Sequence, residues 1–162
     1  MVRLGLIGCG SHCKGNHAPA LAQYAQEHPD RLELAAVCDL DQERAQAFAD
    51  TYGFKSVYAN YVEMIESESL DGCVTVMPIE LTANLAIDLM KRGMPNTIEK
   101  PMGFTVDEVR GIGLAAEETG VAHMVSVNRR FEPTLRQGID WVRDQGPIRY
   151  VRASILRHNR RE

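Results

Sequence analysis

The feature that most constrains the fold is a glycine turn close to the start of the chain. An apolar run over residues 2–7 predicts a strand, which ends in the sequence Gly8-Cys9-Gly10-Ser11-His12-Cys13. A helix is predicted soon after it, over residues 15–27. Two glycines at this spacing are typical of a turn that binds a dinucleotide, in which Gly8 makes the tight bend and Gly10 lets the backbone approach the pyrophosphate. The plain alternative is a strand-to-helix turn without a ligand.

The rest of the chain alternates between apolar strands and amphipathic helices. Strands are predicted over residues 32–38, 56–58, 73–77, 96–99 and 122–127, and helices over residues 41–52, 61–66, 81–92, 105–119 and 133–144. This alternation predicts an α/β fold, with a doubly wound parallel sheet and helices on both faces. A ligand of such a sheet lies beside the carboxyl ends of the strands, so the residues that follow each strand are the candidates for a binding site.

Composition narrows the class of protein further. The 162 residues are 44% apolar and 25% charged, which is typical of a globular protein, and the net charge is −4. That charge argues against nucleic acid or an anionic membrane surface as a partner. No apolar run in the sequence approaches the roughly 18 residues of a membrane span. The four cysteines are unevenly spaced, which favours reduced thiols, and we expect a cytoplasmic protein.

A candidate ribose ligand ends the second predicted strand. Asp39 lies at about the distance from the glycine turn that the dinucleotide fingerprint requires. A carboxylate there accepts hydrogen bonds from the ribose hydroxyls and repels a 2′-phosphate, and neither Leu40 nor Asp41 offers a cation to bind one. NAD is therefore favoured over NADP. The alternative is that Asp39 caps the next helix, but Asp41 fits that role better.

Two cysteines and two histidines lie within nine positions around the glycine turn: Cys9, His12, Cys13 and His17. A metal site is one interpretation, but no second pair of ligands lies at the spacing of a zinc-binding motif. The glycine turn already accounts for the segment. We therefore expect no metal, and we expect His17 to pack on the first helix.

Charged residues also follow the fifth and sixth predicted strands. Glu99 and Lys100 precede Pro101, which ends the strand and biases Lys100 towards an extended conformation that points into the cleft. The sixth strand is followed by Asn128-Arg129-Arg130-Phe131. The plain interpretations are a solvated charge pair and a basic loop. The functional interpretation is that both segments form walls of a cleft that holds a cofactor or an anionic substrate.

Taken in order, these motifs resemble one oxidoreductase family. The glycine turn, Asp39, Met77-Pro78, Glu99-Lys100-Pro101 and the segment 128–133 are similar to those of the glucose-fructose oxidoreductase/inositol dehydrogenase/rhizopine-catabolism (Gfo/Idh/MocA) family. The resemblance implies an N-terminal Rossmann domain and a larger C-terminal α/β domain. It also implies hydride transfer between NAD or NADP and a hydroxyl-bearing carbon of a sugar, cyclitol or related compound.

The resemblance assigns roles to single residues. Lys100 would be the catalytic residue, hydrogen-bonding the reacting hydroxyl, with Glu99 beside it and the nicotinamide. The cofactor-binding residues would be Gly8, Cys9, Gly10, Ser11, His12, Asp39, Leu40, Met77, Pro78, Ile79, Glu99, Lys100 and Asn128. The family often has Pro-Asn-x-x-His after the fourth strand, whereas this chain has Pro78-Ile79-Glu80-Leu81-Thr82. That departure puts some cofactor contacts in doubt.

The resemblance also predicts how the chain is divided. Residues 1–127 would be the NAD(P)-binding domain, and residues 128–162 the first helix and strand, 148–156, of a truncated α+β C-terminal domain for substrate and oligomerisation. The family's acid/base pair would lie beyond residue 162, so we expect cofactor binding with little or no turnover. A full-length form is expected to be a homo-oligomer.

Two other functions are compatible with the sequence. The same family includes a sugar-pathway repressor, so the chain could be a non-catalytic dinucleotide sensor that binds a partner protein. Retention of Lys100 argues against a sensor, because a sensor has no need of a lysine in its cleft. The chain could also be a fragment without a function of its own, in which case its size in solution should depend on concentration and on residues 148–162.

Overall fold

The computed structural model describes residues 1–154. The chain forms two compact units, and the division falls between Ser126 and Val127. The predicted domain boundary, after residue 127, lies next to this division. That the second unit begins a C-terminal domain stays a prediction.

The first unit is built around a six-stranded parallel sheet. Its strands are β1 (Val2–Ile7), β2 (Leu32–Cys38), β3 (Ser56–Tyr58), β4 (Gly72–Thr75), β5 (Asn96–Ile98) and β6 (His123–Val125). They lie in the order β3-β2-β1-β4-β5-β6, and every neighbouring pair is parallel. The order reverses direction between β1 and β4, which is the switch point of a doubly wound sheet. The predicted fold class is confirmed.

Helices connect the strands. A π-helical turn (Cys13–His17) leads into α1 (Ala18–Glu27), and α2 (Gln42–Tyr52), α3 (Tyr61–Ser67), α4 (Ile79–Lys91) and α5 (Val106–Thr119) follow. Most bounds lie within two residues of the predicted ones. The π-helical turn is the exception, because the sequence predicts one continuous helix from residue 15. Within residues 1–154, no helix is long and apolar enough to cross a membrane.

Neighbouring residues of β1 pack into opposite layers, because side chains alternate along a strand. Leu6 is fully buried and belongs to a cluster with Val37 and Phe48, on the side of α2. Ile7 belongs to a second cluster with Leu85 and Leu89 of α4. Both faces of β1 are therefore covered, and the carboxyl ends of the strands form the edge that is open to a ligand.

The second unit contains a 3-10 turn (Asn128–Phe131) and α6 (Pro133–Asp144). The predicted strand over residues 148–156 is wrong for residues 148–154, which form neither helix nor strand, and residues 155–156 lie outside the described part of the chain. Alternating apolar residues make a strand only where a partner strand takes up the backbone hydrogen bonds. Residues 148–154 have no such partner among residues 1–154.

Helix α5 begins with a complete capping box, as the sequence predicts. The Thr105 hydroxyl accepts a hydrogen bond from the Glu108 N–H at 3.2 Å, and a Glu108 carboxylate oxygen accepts one from the Thr105 N–H at 2.9 Å. The same oxygen accepts a third bond, from Phe104 N–H. Hydrogen bonds from these two backbone N–H groups hold the pKa of Glu108 below its ordinary value.

We expect Thr105→Ala to lower the free energy of unfolding by about 1 kcal/mol, because the cap of α5 loses its side-chain acceptor. Urea denaturation would measure the loss. Thr51→Ala is a matched control: Thr51 is exposed within α2, and its hydroxyl bonds only to the carbonyl of Ala47. That change should stay within about 0.5 kcal/mol of zero. Equal losses in the two variants would contradict the assignment of the cap.

Candidate functional site

The switch point of the sheet is closed by the turn at Gly8. Gly8 adopts a φ of 97°, and its N–H donates to the carbonyl oxygen of Cys38 at 2.8 Å. The N–H of Val76 donates to the carbonyl oxygen of Ile7 at 2.8 Å. These bonds join the ends of β2 and β4 to the end of β1. A β-carbon at Gly8 would overlap the carbonyl oxygen of Val76, whereas the position of Gly10 is open.

Two neighbouring cavities lie along this edge. One, of about 510 Å³, is lined by residues that include Gly8, Asp39, Leu40 and Arg44. The other, of about 330 Å³, is lined by residues that include Ser11, His12, Glu99 and Lys100. Four residues line both of them: Gly10, Val76, Met77 and Pro78. The cavities are therefore two ends of one groove that crosses the glycine turn.

The Asp39 carboxylate lies at the first end of the groove and is held by several hydrogen bonds. Its carboxylate accepts hydrogen bonds from the N–H groups of Cys9, at 2.8 Å, and Asp41, at 2.9 Å. Burial alone would raise the pKa of Asp39, but hydrogen bonds from Arg44 and from these two N–H groups outweigh it and hold the pKa below its ordinary value. Asp39 is therefore a carboxylate at neutral pH. The cap of α2 is made by Asp41, as predicted, through the Arg44 N–H at 3.0 Å.

The expectation that no cation lies near Asp39 is wrong, because Arg44 contacts it. Its guanidinium donates to both carboxylate oxygens of Asp39, at 2.6 Å and 3.3 Å, and lies 3.3 Å from a carboxylate oxygen of Asp41. The expectation rests on Leu40 and Asp41, the two residues directly after Asp39, neither of which is a cation. Arg44 stands five positions after Asp39 on the first turn of α2, and the N-terminal position of that helix brings its long side chain back over the strand end.

His17 contacts Glu99, whereas the sequence predicts that it packs on the first helix. The His17 ring places Nε2 at 2.6 Å from Oε1 of Glu99. The other oxygen of Glu99 accepts a hydrogen bond from the backbone N–H of Lys100 at 3.0 Å. Glu99 therefore joins the turn after β1 to the segment after β5, and Lys100 follows at the wall of the second cavity.

The groove brings together most of the predicted site residues. Cys9 is buried beneath it and reaches Asp39 through its N–H, and Ile79 begins α4 without lining either cavity. Asn128 lies in the 3-10 turn of the second unit, and its role stays a prediction. Arg44 is at the groove but is not among the predicted site residues, and His17 contacts Glu99 where the sequence predicts that it packs on the first helix.

The four cysteines all lie within the described residues, and each is a free, buried thiol. Burial raises the pKa of Cys9, Cys13 and Cys73 to about 12, and that of Cys38 to about 11. The thiols therefore remain protonated at neutral pH. Their contribution is to packing, and Cys13 stands where the dinucleotide fingerprint has its third glycine or an alanine.

The strand order, the glycine turn and the acidic end of β2 define a dinucleotide-binding Rossmann domain. The family model GFO_IDH_MocA, described as "Oxidoreductase family, NAD-binding Rossmann fold", matches residues 2–128. The chain belongs to this family of dehydrogenases.

Individual relatives agree with this assignment. The chain is 29% identical over 131 residues to D-apiose dehydrogenase of Paraburkholderia graminis, covering 81% of this chain and 33% of that protein. It is 30% identical over 138 residues to D-xylose 1-dehydrogenase (NADP(+)) 2 of Haloferax volcanii, covering 85% and 41%. The crystal structure of the WlbA dehydrogenase from Bordetella pertussis, in complex with NADH and UDP-GlcNAcA, superposes with a TM-score of 0.76 at 31% identity, covering 90% and 42%. The chain thus spans well under half the length of these relatives.

We expect Gly8→Ala to lower the free energy of unfolding by about 2–5 kcal/mol. The reason is that alanine at this position adopts a strained φ and its β-carbon collides with the carbonyl of Val76. Chemical denaturation of the chain without ligand would measure this loss.

Gly10→Ala is the matched control for that prediction. A β-carbon there meets nothing within 4 Å, and Gly10 does not adopt a positive φ. Its free energy of unfolding should change by less than about 0.5 kcal/mol. A comparable loss in both variants would show that the turn does not depend on the close approach of Gly8 to Val76.

Proposed function

We propose that this chain is the cofactor-binding part of an NAD-dependent oxidoreductase that acts on a hydroxyl-bearing carbon of a sugar, cyclitol or related compound. The observation that carries the proposal is the groove across the glycine turn, which has an ionised Asp39 at one end and Lys100 at the other. The names of its relatives support a sugar-like substrate. D-apiose and D-xylose are polyhydroxylated, and UDP-GlcNAcA carries a sugar acid.

The residues present fit a dinucleotide. Gly10 has open space where a side chain would stand, which allows the pyrophosphate to lie close to the backbone. Asp39 is proposed to bind the ribose hydroxyls of the adenosine. A carboxylate has about four lone-pair positions, and two backbone N–H groups and Arg44 already use some of them, so ribose hydroxyls would displace or share the contact with Arg44.

The second end of the groove is proposed to hold the reacting groups. When bound, the nicotinamide supplies the hydride acceptor or donor. Oxidation of the alcohol breaks a C–H bond, whose electron pair goes to that acceptor, and releases the hydroxyl proton. Lys100 Nζ is proposed to hydrogen-bond the reacting oxygen and to orient or relay that proton. Glu99 would fix the backbone of Lys100 through its 3.0 Å contact with the Lys100 N–H.

Cofactor binding can be tested by the melting temperature of the chain. At about 100 times the dissociation constant, NADH should stabilise the fold by about 2.7 kcal/mol, which is roughly 5–10 °C for a chain of this size. Asp39→Ala should remove most of that shift, measured against the variant's own melting temperature without ligand. A folded chain that gives no shift with NADH or NADPH would contradict the proposal. A full shift in Asp39→Ala would contradict the role of Asp39.

The position of Arg44 leads to a separate prediction about which cofactor the chain binds. Its guanidinium is half-exposed at the ribose end and is the group that could bind a 2′-phosphate, whereas Asp39 repels one. We expect NADH to give the larger shift in the parent chain, and we expect Arg44→Ala to abolish the NADPH shift while leaving the NADH shift intact. Arg110→Ala, an exposed position on α5, is the control that should change neither. An unchanged NADPH shift in Arg44→Ala would show that Arg44 does not select the cofactor.

A further inference from the structure

Three side chains converge beside the glycine turn in a way that hydride transfer does not require. Oε1 of Glu99 lies 2.6 Å from Nε2 of His17 and 3.6 Å from Nε2 of His12. Each of the three residues offers one ligand atom, and these atoms lie within 4.8 Å of one another. We propose that these three residues form a binding site for a divalent transition-metal ion of the zinc class.

The π-helical turn is what brings the two histidines together. In an α-helix, residues five positions apart point about 140° away from each other. Here the N–H of Ala18 donates to the carbonyl of Cys13, a bond that spans five residues, so the turn is wider. His12 and His17 therefore face the same side, with ring centroids 5.7 Å apart.

The donor set selects the class of ion. Two imidazoles and one carboxylate suit zinc, cobalt and nickel, whereas magnesium and calcium prefer oxygen ligands alone. Three protein ligands with a fourth position open to water are typical of zinc sites that are not purely structural. The 3.6 Å separation of His12 Nε2 from Glu99 Oε1 is close to that expected of two ligands each about 2.1 Å from one ion. The 2.6 Å separation of His17 Nε2 from Glu99 Oε1 is that of a hydrogen bond, so an ion would replace the shared hydrogen and these two atoms would move apart by about 0.8 Å.

Burial restrains two of the three ligands close to the site before any ion binds. The side chains of His17 and Glu99 are only 19% and 12% exposed, whereas His12 is 52% exposed and can adjust. The side-chain amide nitrogen of Asn16 donates to the backbone carbonyl of His12 at 3.0 Å and lies 3.3 Å from His12 Nδ1, which leaves Nε2 as the ring nitrogen on the side of Glu99. A bound ion would link the turn after β1 to the end of β5, two strands that β4 separates in the sheet.

Titration of the tag-free chain with Co²⁺, followed by its visible d–d absorption, tests the site without any cofactor. We expect one Co²⁺ per chain with a four- or five-coordinate spectrum, its displacement by Zn²⁺, and a higher melting temperature with Zn²⁺. His12→Gln and His17→Gln should each weaken binding at least about tenfold, because loss of an outer partner alone costs about 10–100-fold in comparable sites. His28→Gln, at a histidine outside the cluster, should leave it unchanged.

His12→Gln is the decisive variant, because its exposed position lets the chain fold as before, which circular dichroism and the melting temperature without metal would verify. No Co²⁺ uptake at millimolar concentration would overturn the proposal. Uptake that His12→Gln does not weaken would also overturn it. So would a thiolate-to-cobalt charge-transfer band that Cys9→Ser removes, since this would place the ion on the buried thiols. None of these outcomes depends on dinucleotide binding.

Discussion

The groove depends on the close approach of two strand ends at Gly8. Only a residue without a β-carbon can turn there with a φ of 97° beneath the carbonyl of Val76. Because β1 and β4 are neighbours at the switch point, this turn places the backbone of residues 8–10 beside Met77 and Pro78. Backbone packing therefore determines the shape of the sheet edge that faces the groove, and the charged side chains lie around that edge.

Much of this arrangement could be predicted from the sequence, because it depends on local patterns. Short apolar runs, several of them ended by glycine or proline, predict all six strands, and one capping box together with glycines predicts several helix ends. Once the strands are parallel, Asp39, Met77 and Lys100 must lie at one edge, since each follows a strand. Placing these residues at one edge requires topology alone and no knowledge of side-chain direction.

The rest could not be predicted, because it depends on where long side chains reach. Arg44 was missed because its position on α2 says nothing about contact with Asp39 until the strand-to-helix angle is known. The sequence predicts that His17 packs on the first helix because it predicts an ordinary helix from residue 15, where the chain forms a π-helical turn. The strand over residues 148–156 was predicted from alternation alone, and the described part, 148–154, lacks the partner that a strand requires.

The two missed residues have the same physical role at opposite ends of the groove. Asp39 and Glu99 are the two acidic groups that line it, and each is contacted by a nitrogen donor from the helical segment that follows β2 or β1: Arg44 for Asp39 and His17 for Glu99. A carboxylate at a partly buried edge is costly unless hydrogen bonds compensate for lost hydration. These contacts orient both carboxylates before a ligand arrives. Any ligand that binds either carboxylate must therefore compete with, or share, a contact that already exists.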